Sequence, residues 1–414
     1  MKHKFQSLRI LMCFAFVIII NLKSEAKAYQ GFYEPEIADL DWSPDGTRIV
    51  IGGGTNNCDS DPVDPEITFL QILDAITLEV LEDLNGANCQ ITSVDWSPDG
   101  TMIVATDLRN LHMWDANTGE LLPELTIEGY AIVTARWSPD SSYIAYHDLR
   151  GAIQIEHIQG MDTGYSGIVP IGGSEIVWSP DGTRIATSLV SDNDNLIHIF
   201  DLQSKMEIQT IESTGIVSDL DWNPDGTQLI GVVSDASTQI WDIESREMLV
   251  RIEPNGFPQD IAWDTTGENF ATISRDGVVR IWNGTTGQQL TEIQTANFLT
   301  TLKWSPNGTQ LVAGGDPNSP LNLLSLPSAS AGGNQSVNDL DTTNQVDIIL
   351  DGSASTDSDG TIVSYVWTEN GVEIATGATP TVELAVGTHT ITLTVTDNYG
   401  LTGSDTVEIV VNSG

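Results

Sequence analysis

The chain has 414 residues, 40% of them hydrophobic, which suffices for one large domain and a smaller one and excludes a disordered or fibrous chain. Its 58 acidic residues against 16 basic ones give a formal net charge of −42. Such a surface repels nucleic-acid phosphates and anionic lipid, which leaves cations and basic surfaces as natural counterparts and also keeps an exported protein soluble.

Residues 1–28 begin with Lys2, Lys4 and Arg9, continue through an apolar run from Ile10 to Ile20 and end in Ala26-Lys27-Ala28. This is the order of a secretory signal peptide, with cleavage expected after Ala28. An 11-residue run is short for a bilayer span, so a retained anchor is the lesser reading. Removal leaves 11 basic against 57 acidic residues and a pair of cysteines, Cys58 and Cys89. An even pair in an exported chain is a disulfide candidate.

From residue 41 onward one phrase repeats. Asp41-Trp42-Ser43-Pro44-Asp45-Gly46-Thr47 returns at Asp95 to Thr101, and with small changes around Trp137, Trp178, Trp222, Trp263 and Trp304. These seven tryptophans are 54, 41, 41, 44, 41 and 41 residues apart, and a period near 41 suits four short strands per unit. Apolar residues lie five and two positions before each Trp, as in Ile91 and Val94, and mark an inner strand. Pro-Asp-Gly then turns the chain, Pro by its fixed φ and Gly by accepting a positive one. A β-branched run follows, then a third strand ending in Trp-Asp or a variant, such as Trp114-Asp115, Phe200-Asp201 and Trp241-Asp242. A fourth, outer strand leads to the next unit.

Over residues 29–328 this period, turn and Trp-Asp ending resemble the WD-repeat family, and the Trp-Ser-Pro-Asp-Gly string is also similar to Tol-type periplasmic propellers. The resemblance implies a seven-bladed β-propeller. The Gly-His pair usual before the inner strand is replaced by Asn88-Cys89-Gln90, Gly129-Tyr130 or Gly256-Phe257, so the family's buried His network is expected to be missing and tryptophan packing to carry more of the stability. Residues 327–333 are unfit for a last outer strand, and Tyr29 to Tyr33 are expected to supply it, clasping first blade to last and hiding two sheet edges.

Blade 1 is longer than the rest. Trp42 and Asp74 are 32 residues apart, Trp96 and Asp115 only 19, and the excess falls in the loop between the second and third strands. That loop shares a rim with the connection carrying Cys89, so a Cys58–Cys89 disulfide is expected, worth about 3 to 4 kcal/mol by loop entropy. The stapled loop reads either as a recognition element or as a protected insertion. Its Asp59, Asp61, Asp64 and Glu66 are candidate binding residues for a partner or for calcium, and Tyr130, Phe257 and Phe298 are candidate rim aromatics. Three positions before the repeat Trp stand Asp39, Ser93, Thr134, Glu175, Asp219, Asp260 and Thr301. They are expected to bond neighbouring blades, with an electronegative axial funnel as the other reading.

After a small-residue linker at 329–333, residues 334–414 contain no Lys or Arg. Ile391, Leu393 and Val395 alternate with threonines as a half-buried strand. Together with Asp351-Gly352-Ser353, Asp357-Ser358-Asp359-Gly360, Tyr365-Val366-Trp367 and Gly387 to Gly400, the segment resembles a PKD-type immunoglobulin-like domain. The resemblance implies a small β-sandwich acting as a spacer or as a contact to protein or polysaccharide. Asp357 and Asp359, with Asp351 or Asp397, are the rival candidate calcium site.

Phosphate-loop, zinc-protease, hydrolase-elbow and Cys-x-x-Cys motifs are absent. The expectation is thus an all-β, secreted, monomeric, non-enzymatic scaffold that binds protein or polysaccharide through rim loops. The competing reading is an exported hydrolase or lyase with a site in the central pocket, supported by convergent ionisable groups of strongly perturbed pKa if the pocket holds them.

Overall fold

The repeated Ser-Pro-Asp-Gly-Thr turn builds the architecture by folding the strand that ends in Trp back onto the run that follows. Ser43 Oγ donates to Asp45 Oδ1 at 2.7 Å, and Thr47 donates to the same oxygen from its N–H at 3.0 Å and its hydroxyl at 2.8 Å. Gly46 closes the turn at a φ of 69°, where a side chain would be strained. The pattern recurs at Asp99, Asp181 and Asn307. Hydrogen bonds from Ser43 and Thr47 hold the Asp45 carboxyl down at about 2, and those from Ser179 and Thr183 do the same for Asp181.

The structure is a computed structural model that describes residues 36–54, 68–87, 89–107, 109–123, 127–128, 132–148, 153–158, 173–189, 195–253, 256–274, 276–295, 298–315, 321–340 and 344–414. The expected signal segment, residues Tyr29 to Tyr33 of the expected clasp, and the blade 1 insertion lie outside them. Among the described residues there is no α-helix, and the repeats form seven antiparallel sheets of three or four strands, numbered here 1 to 7 in chain order. Sheet 1 consists of Glu36–Trp42, Arg48–Gly54, Thr68–Asp74 and Val80–Asp83. The inner strands of sheets 2 to 7 are Ser93–Trp96, Ile132–Trp137, Gly173–Trp178, Val217–Trp222, Pro258–Trp263 and Leu299–Trp304. Each inner strand packs on the next, and that of sheet 7 packs on that of sheet 1, so the ring closes.

Apolar side chains fill the space between sheets. Ile37, Leu40, Trp42 and Ile49 of sheet 1 meet Val312 of sheet 7, and Val50 and Ile72 of sheet 1 meet Ile91, Val94 and Trp96 of sheet 2. The first and last sheets are joined polar-to-polar as well: Trp42 Nε1 donates to Lys303 O at 3.2 Å and Thr300 Oγ1 to Ile37 O at 2.6 Å.

Residues beyond the ring form a second module of two sheets. One contains Gln335–Asn338, Thr402–Asn412, Gly387–Asp397, Ile362–Glu369 and Val372–Thr376 in spatial order, and the other pairs Gln345–Ile349 with Thr381–Ala385. Their inner faces enclose Trp367, Ile391, Leu393, Val395 and Ile409, the face that the threonine alternation predicted. Residues 329–333 are held against this module: Ala331 is in its core, and the Ala331 N–H donates to Asp405 Oδ2 at 2.8 Å. The module docks on the ring. Leu401 is buried among Ala271, Ile281, Leu302 and Leu324 of sheets 6 and 7, Thr291 Oγ1 donates to Tyr399 O at 3.0 Å, and the Ser325 N–H donates to Asp359 Oδ2 at 3.1 Å.

Candidate functional site

The inner strands carry a built-in irregularity that aims polar side chains at the ring axis. Strict alternation would put the residues five and two before Trp on opposite faces, yet Ile37 and Leu40, Val217 and Leu220, and Leu299 and Leu302 are all buried between sheets. The register slips by one residue between Ile37 and Asp39, Val217 and Asp219, Pro258 and Asp260, and Leu299 and Thr301. Such a bulge resets the alternation and turns the residues at positions −4, −3 and −1 from Trp toward the axis.

They enclose an axial channel of about 510 Å³ reached by all seven sheets. Among the described residues, six carboxylic acids line it, Asp39, Asp95, Glu175, Asp219, Asp221 and Asp260, against two bases, Arg136 and Lys303. The −3 position does what was expected of it. Asp39 Oδ2 accepts the Val94 N–H at 3.1 Å, Asp219 Oδ2 the Ile261 N–H at 2.9 Å and Asp260 Oδ2 the Leu302 N–H at 2.7 Å. Each acid thus ties its sheet to the next while facing the channel, so the two readings of this register describe one arrangement.

Position −1 decides how each Trp is anchored. Where it is Asp41, Asp95 or Asp221, the carboxylate accepts the backbone N–H of the next Trp, at 2.8, 2.5 and 2.8 Å for Trp96, Trp137 and Trp263. The indole N–H of those three has no partner among the described residues. Where it is Lys303, Arg136, Val177 or Ala262, that residue's carbonyl instead accepts the indole N–H of Trp42, Trp178, Trp222 or Trp304, at 3.1 to 3.3 Å.

Arg136 crosses the channel. From sheet 3 its guanidinium donates to Asp39 of sheet 1 at 3.0 Å and to Glu175 of sheet 4 at 3.1 Å. Burial opposes its charge, but Glu175 and Asp39 outweigh burial and hold it protonated. Burial raises the Asp95 and Asp219 carboxyls well above the usual range, assisted by Asp41 and by Asp260 respectively, and lifts Asp221 to about 6 against the pull of Lys303.

The residues singled out from sequence are placed unevenly. Asp59, Asp61, Asp64, Glu66, Cys58 and Tyr130 lie outside the described residues. Phe257 is 60% exposed and Phe298 half-buried, each just before an inner strand, on the rim that also carries Cys89. The four carboxylates of the C-terminal module do not make one site. Asp351 is exposed and accepts from Ser353 in its own turn, while Asp357 stands beside Asp359 and Asp397. Among the described residues, no group of three or more His, Cys, Asp or Glu side chains is arranged to hold a metal ion. Burial raises the Asp359 and Asp397 carboxyls, so protonation relieves the crowding there.

A second polar register went unread in the sequence. Three positions before the end of the third strand stand Gln71, His112, His198, Gln239 and Arg280. Gln71 donates to Asp83, His112 pairs with Asp107 at 3.0 Å, His198 with Glu207 at 2.8 Å and Arg280 with Asp276 at 2.9 Å. These third-strand pairs accompany the tryptophan packing and do not involve the segment before the inner strand, where the family's Gly-His pair is replaced. The variable residue types at this position hid the signal, which is visible only once the third strands are aligned on their final Trp-Asp.

Comparison with known proteins agrees with this geometry. A PKD-domain family matches residues 331–411, and a WD domain, G-beta repeat, matches residues 78–115. The crystal structure of the Cps50 (Swd1) β-propeller domain from Myceliophteria thermophila superposes with a TM-score of 0.60 at 15% identity, covering 73% of this chain and 99% of that one. No curated protein matches the chain. The TolB β-propeller domain (PD40) family matches residues 109–345, more than half of the sequence, and the chain belongs to that family.

Proposed function

We propose that the protein is an exported, non-enzymatic interaction scaffold whose ring receives part of a protein partner at the axial channel and its rim. The observation that carries this reading is that the channel's acids are also its structural ties. Asp39, Asp95, Asp219, Asp221 and Asp260 each accept a backbone N–H of the following sheet, which fixes them as a rigid, polar recognition surface. The docked second module supports a role as spacer or adhesion unit, and the N-terminal sequence supports export. Cys89, buried at 1% exposure and disulfide-bonded, supports Cys58 as its partner and a blade 1 loop stapled to the same rim. Peptide mapping without reductant is expected to recover residues 58 and 89 in one cross-linked species, and free thiols at both positions would refute that pairing.

The test places a bulky side chain at the channel mouth, where Ser218 is exposed. A Ser218→Trp variant is expected to lose the partner that wild type captures from a surface fraction of the source organism. Equal capture by both would remove the channel from the case.

One observation favours the enzymatic alternative. Raised carboxyls at Asp95, Asp219 and Asp221 converge in a concave site, as in hydrolases and lyases that use carboxyl groups. Turnover of a polysaccharide by wild type and its loss in Asp219→Asn would establish that reading.

A further inference from the structure

The C-terminal module holds a histidine whose two neighbours both demand a donor. His389 lies near the start of the strand Gly387–Asp397, on the inner face that continues through Ile391, Leu393 and Val395. Its Nδ1 stands 2.7 Å from Glu369 Oε1, at the end of the strand Ile362–Glu369. Its Nε2 stands 2.9 Å from the carbonyl oxygen of Ala385, which ends the strand Thr381–Ala385 of the other sheet. A carbonyl and an ionised carboxylate only accept, so both ring nitrogens donate and the ring is the imidazolium cation. His112 makes the contrast: one nitrogen pairs with Asp107 at 3.0 Å and the other has no partner among the described residues, so one N–H satisfies that site.

Charge reaches His389 from one side. Among the described residues, Glu369 is the acid that faces it. On the strand Thr402–Asn412 the residue opposite is Ile409, with Val411 beyond it, both buried, while Glu408 is exposed on the other face. On the two-stranded sheet Val382 and Leu384 are buried, and Asp347 and Glu383 are exposed. Glu373 on Val372–Thr376 is exposed as well, and Asp339, past the end of Gln335–Asn338, accepts the Asn344 N–H at 2.8 Å. Burial opposes the positive ring, but the Ala385 carbonyl and Glu369 outweigh burial and raise the imidazole above its ordinary value of 6.5.

We infer that His389 is a pH-operated latch between the two sheets of the module, closed while both ring nitrogens donate and opened at Ala385 when the ring loses a proton. The carboxylate is the stronger acceptor, so the proton that stays is the one on Nδ1. Nε2 then turns a lone pair toward the Ala385 oxygen, and that contact becomes repulsive. Because the folded-state value is raised, the latch is fully closed below 6.5 and is lost as pH rises through the raised value. It lies at the end of the sandwich away from the ring, since Ile362 pairs with Asp397 at the end where Leu401 docks. That far tip exposes Val372 and Val386, and its shape is what the latch controls. The latch is independent of the reading of the axial channel.

The test is made on the full chain. Nuclear magnetic resonance of ring-labelled histidine, with His389 assigned by its absence in His389→Phe, is expected to give His389 a midpoint above 6.5. Hydrogen exchange of residues 384–388, corrected for the intrinsic pH dependence of exchange and referenced to residues 393–395 of the same module, should lose about threefold or more of its protection between about pH 5.5 and about pH 9. Glu369→Gln separates a latch from a mere contact. Its amide N–H donates to Nδ1 while the Nε2–H donates to Ala385, so a neutral ring fills both contacts and protection should no longer depend on pH. His389→Phe keeps the ring and lacks both donors, and should show the weaker protection at either pH. A His389 midpoint at or below 6.5, wild-type protection that does not fall with pH, or the same fall in wild type as in Glu369→Gln or His389→Phe would overturn the inference.

Discussion

At the scale of the single residue, the ring is sealed by one choice repeated seven times, made by the residue before each Trp. An aspartate there grips the next tryptophan's backbone, and any other residue leaves its carbonyl to the next indole. Asp221 shows what the first choice costs. Burial lifts its carboxyl from 3.8 to about 6, so between those values the folded chain binds a proton that the unfolded chain has released. Stability from this group is therefore greatest below the lower value and falls as pH rises through about 6. The turn acids act in the opposite sense: Asp45 and Asp181 are lowered to about 2, and their contribution is lost as pH falls from the ordinary carboxylate range through that value. Thermal melts are expected to peak in mildly acidic buffer and to decline toward neutrality. Asp221→Asn, which still accepts the Trp263 N–H, should flatten the decline, whereas Asp221→Ala orphans that N–H and should cost about 1 to 3 kcal/mol at every pH. A melting temperature rising steadily from pH 4 to pH 8 in wild type would contradict this.

At the scale of the element, the third-strand polar register ties the outer strand to its neighbour in sheets 1, 4 and 6. Arg280 is 4% exposed and joins Asp276, Ser274 and the edge of Glu292. Replacing it by Ala removes the buried packing of its stem and its bond to Ser274, and a loss of about 2 to 3 kcal/mol in urea unfolding is expected. A loss below about 0.5 kcal/mol would show that the pairs at this position are ornamental. Strands and turns were legible in the sequence because Pro-Asp-Gly and the apolar pair before Trp are local signals. The bulge was not, although Ile37 and Leu40 could share a face only if alternation broke between them. Nor was the convergence of positions −4, −3 and −1 on the axis, since it depends on that bulge and on the closing of the ring. The polar −3 register was readable as an interblade tie, and its second role as channel wall needed the closed ring. Of the two carboxylates offered beside Asp357 and Asp359, Asp397 stands with them and Asp351 does not, because the Asp351-Gly352-Ser353 step makes a turn in which Ser353 occupies Asp351.

At the scale of the whole molecule, a closed ring of sheets and a docked β-sandwich leave the channel and its rim as the concave polar surface. Arg136 ties three sheets together across the axis, and the ring's first and last sheets meet through Trp42, Lys303, Thr300 and Ile37. The outer strands present another surface, with Met248 and Leu249 exposed on sheet 5, so partner binding at the axis and at the periphery are distinct outcomes. A photo-crosslinking residue at Gln259, in the channel wall, separates them from the same residue at Met248. Capture of a partner from Gln259 and not from Met248 is the result expected of an axial scaffold, and capture from Met248 alone would contradict it.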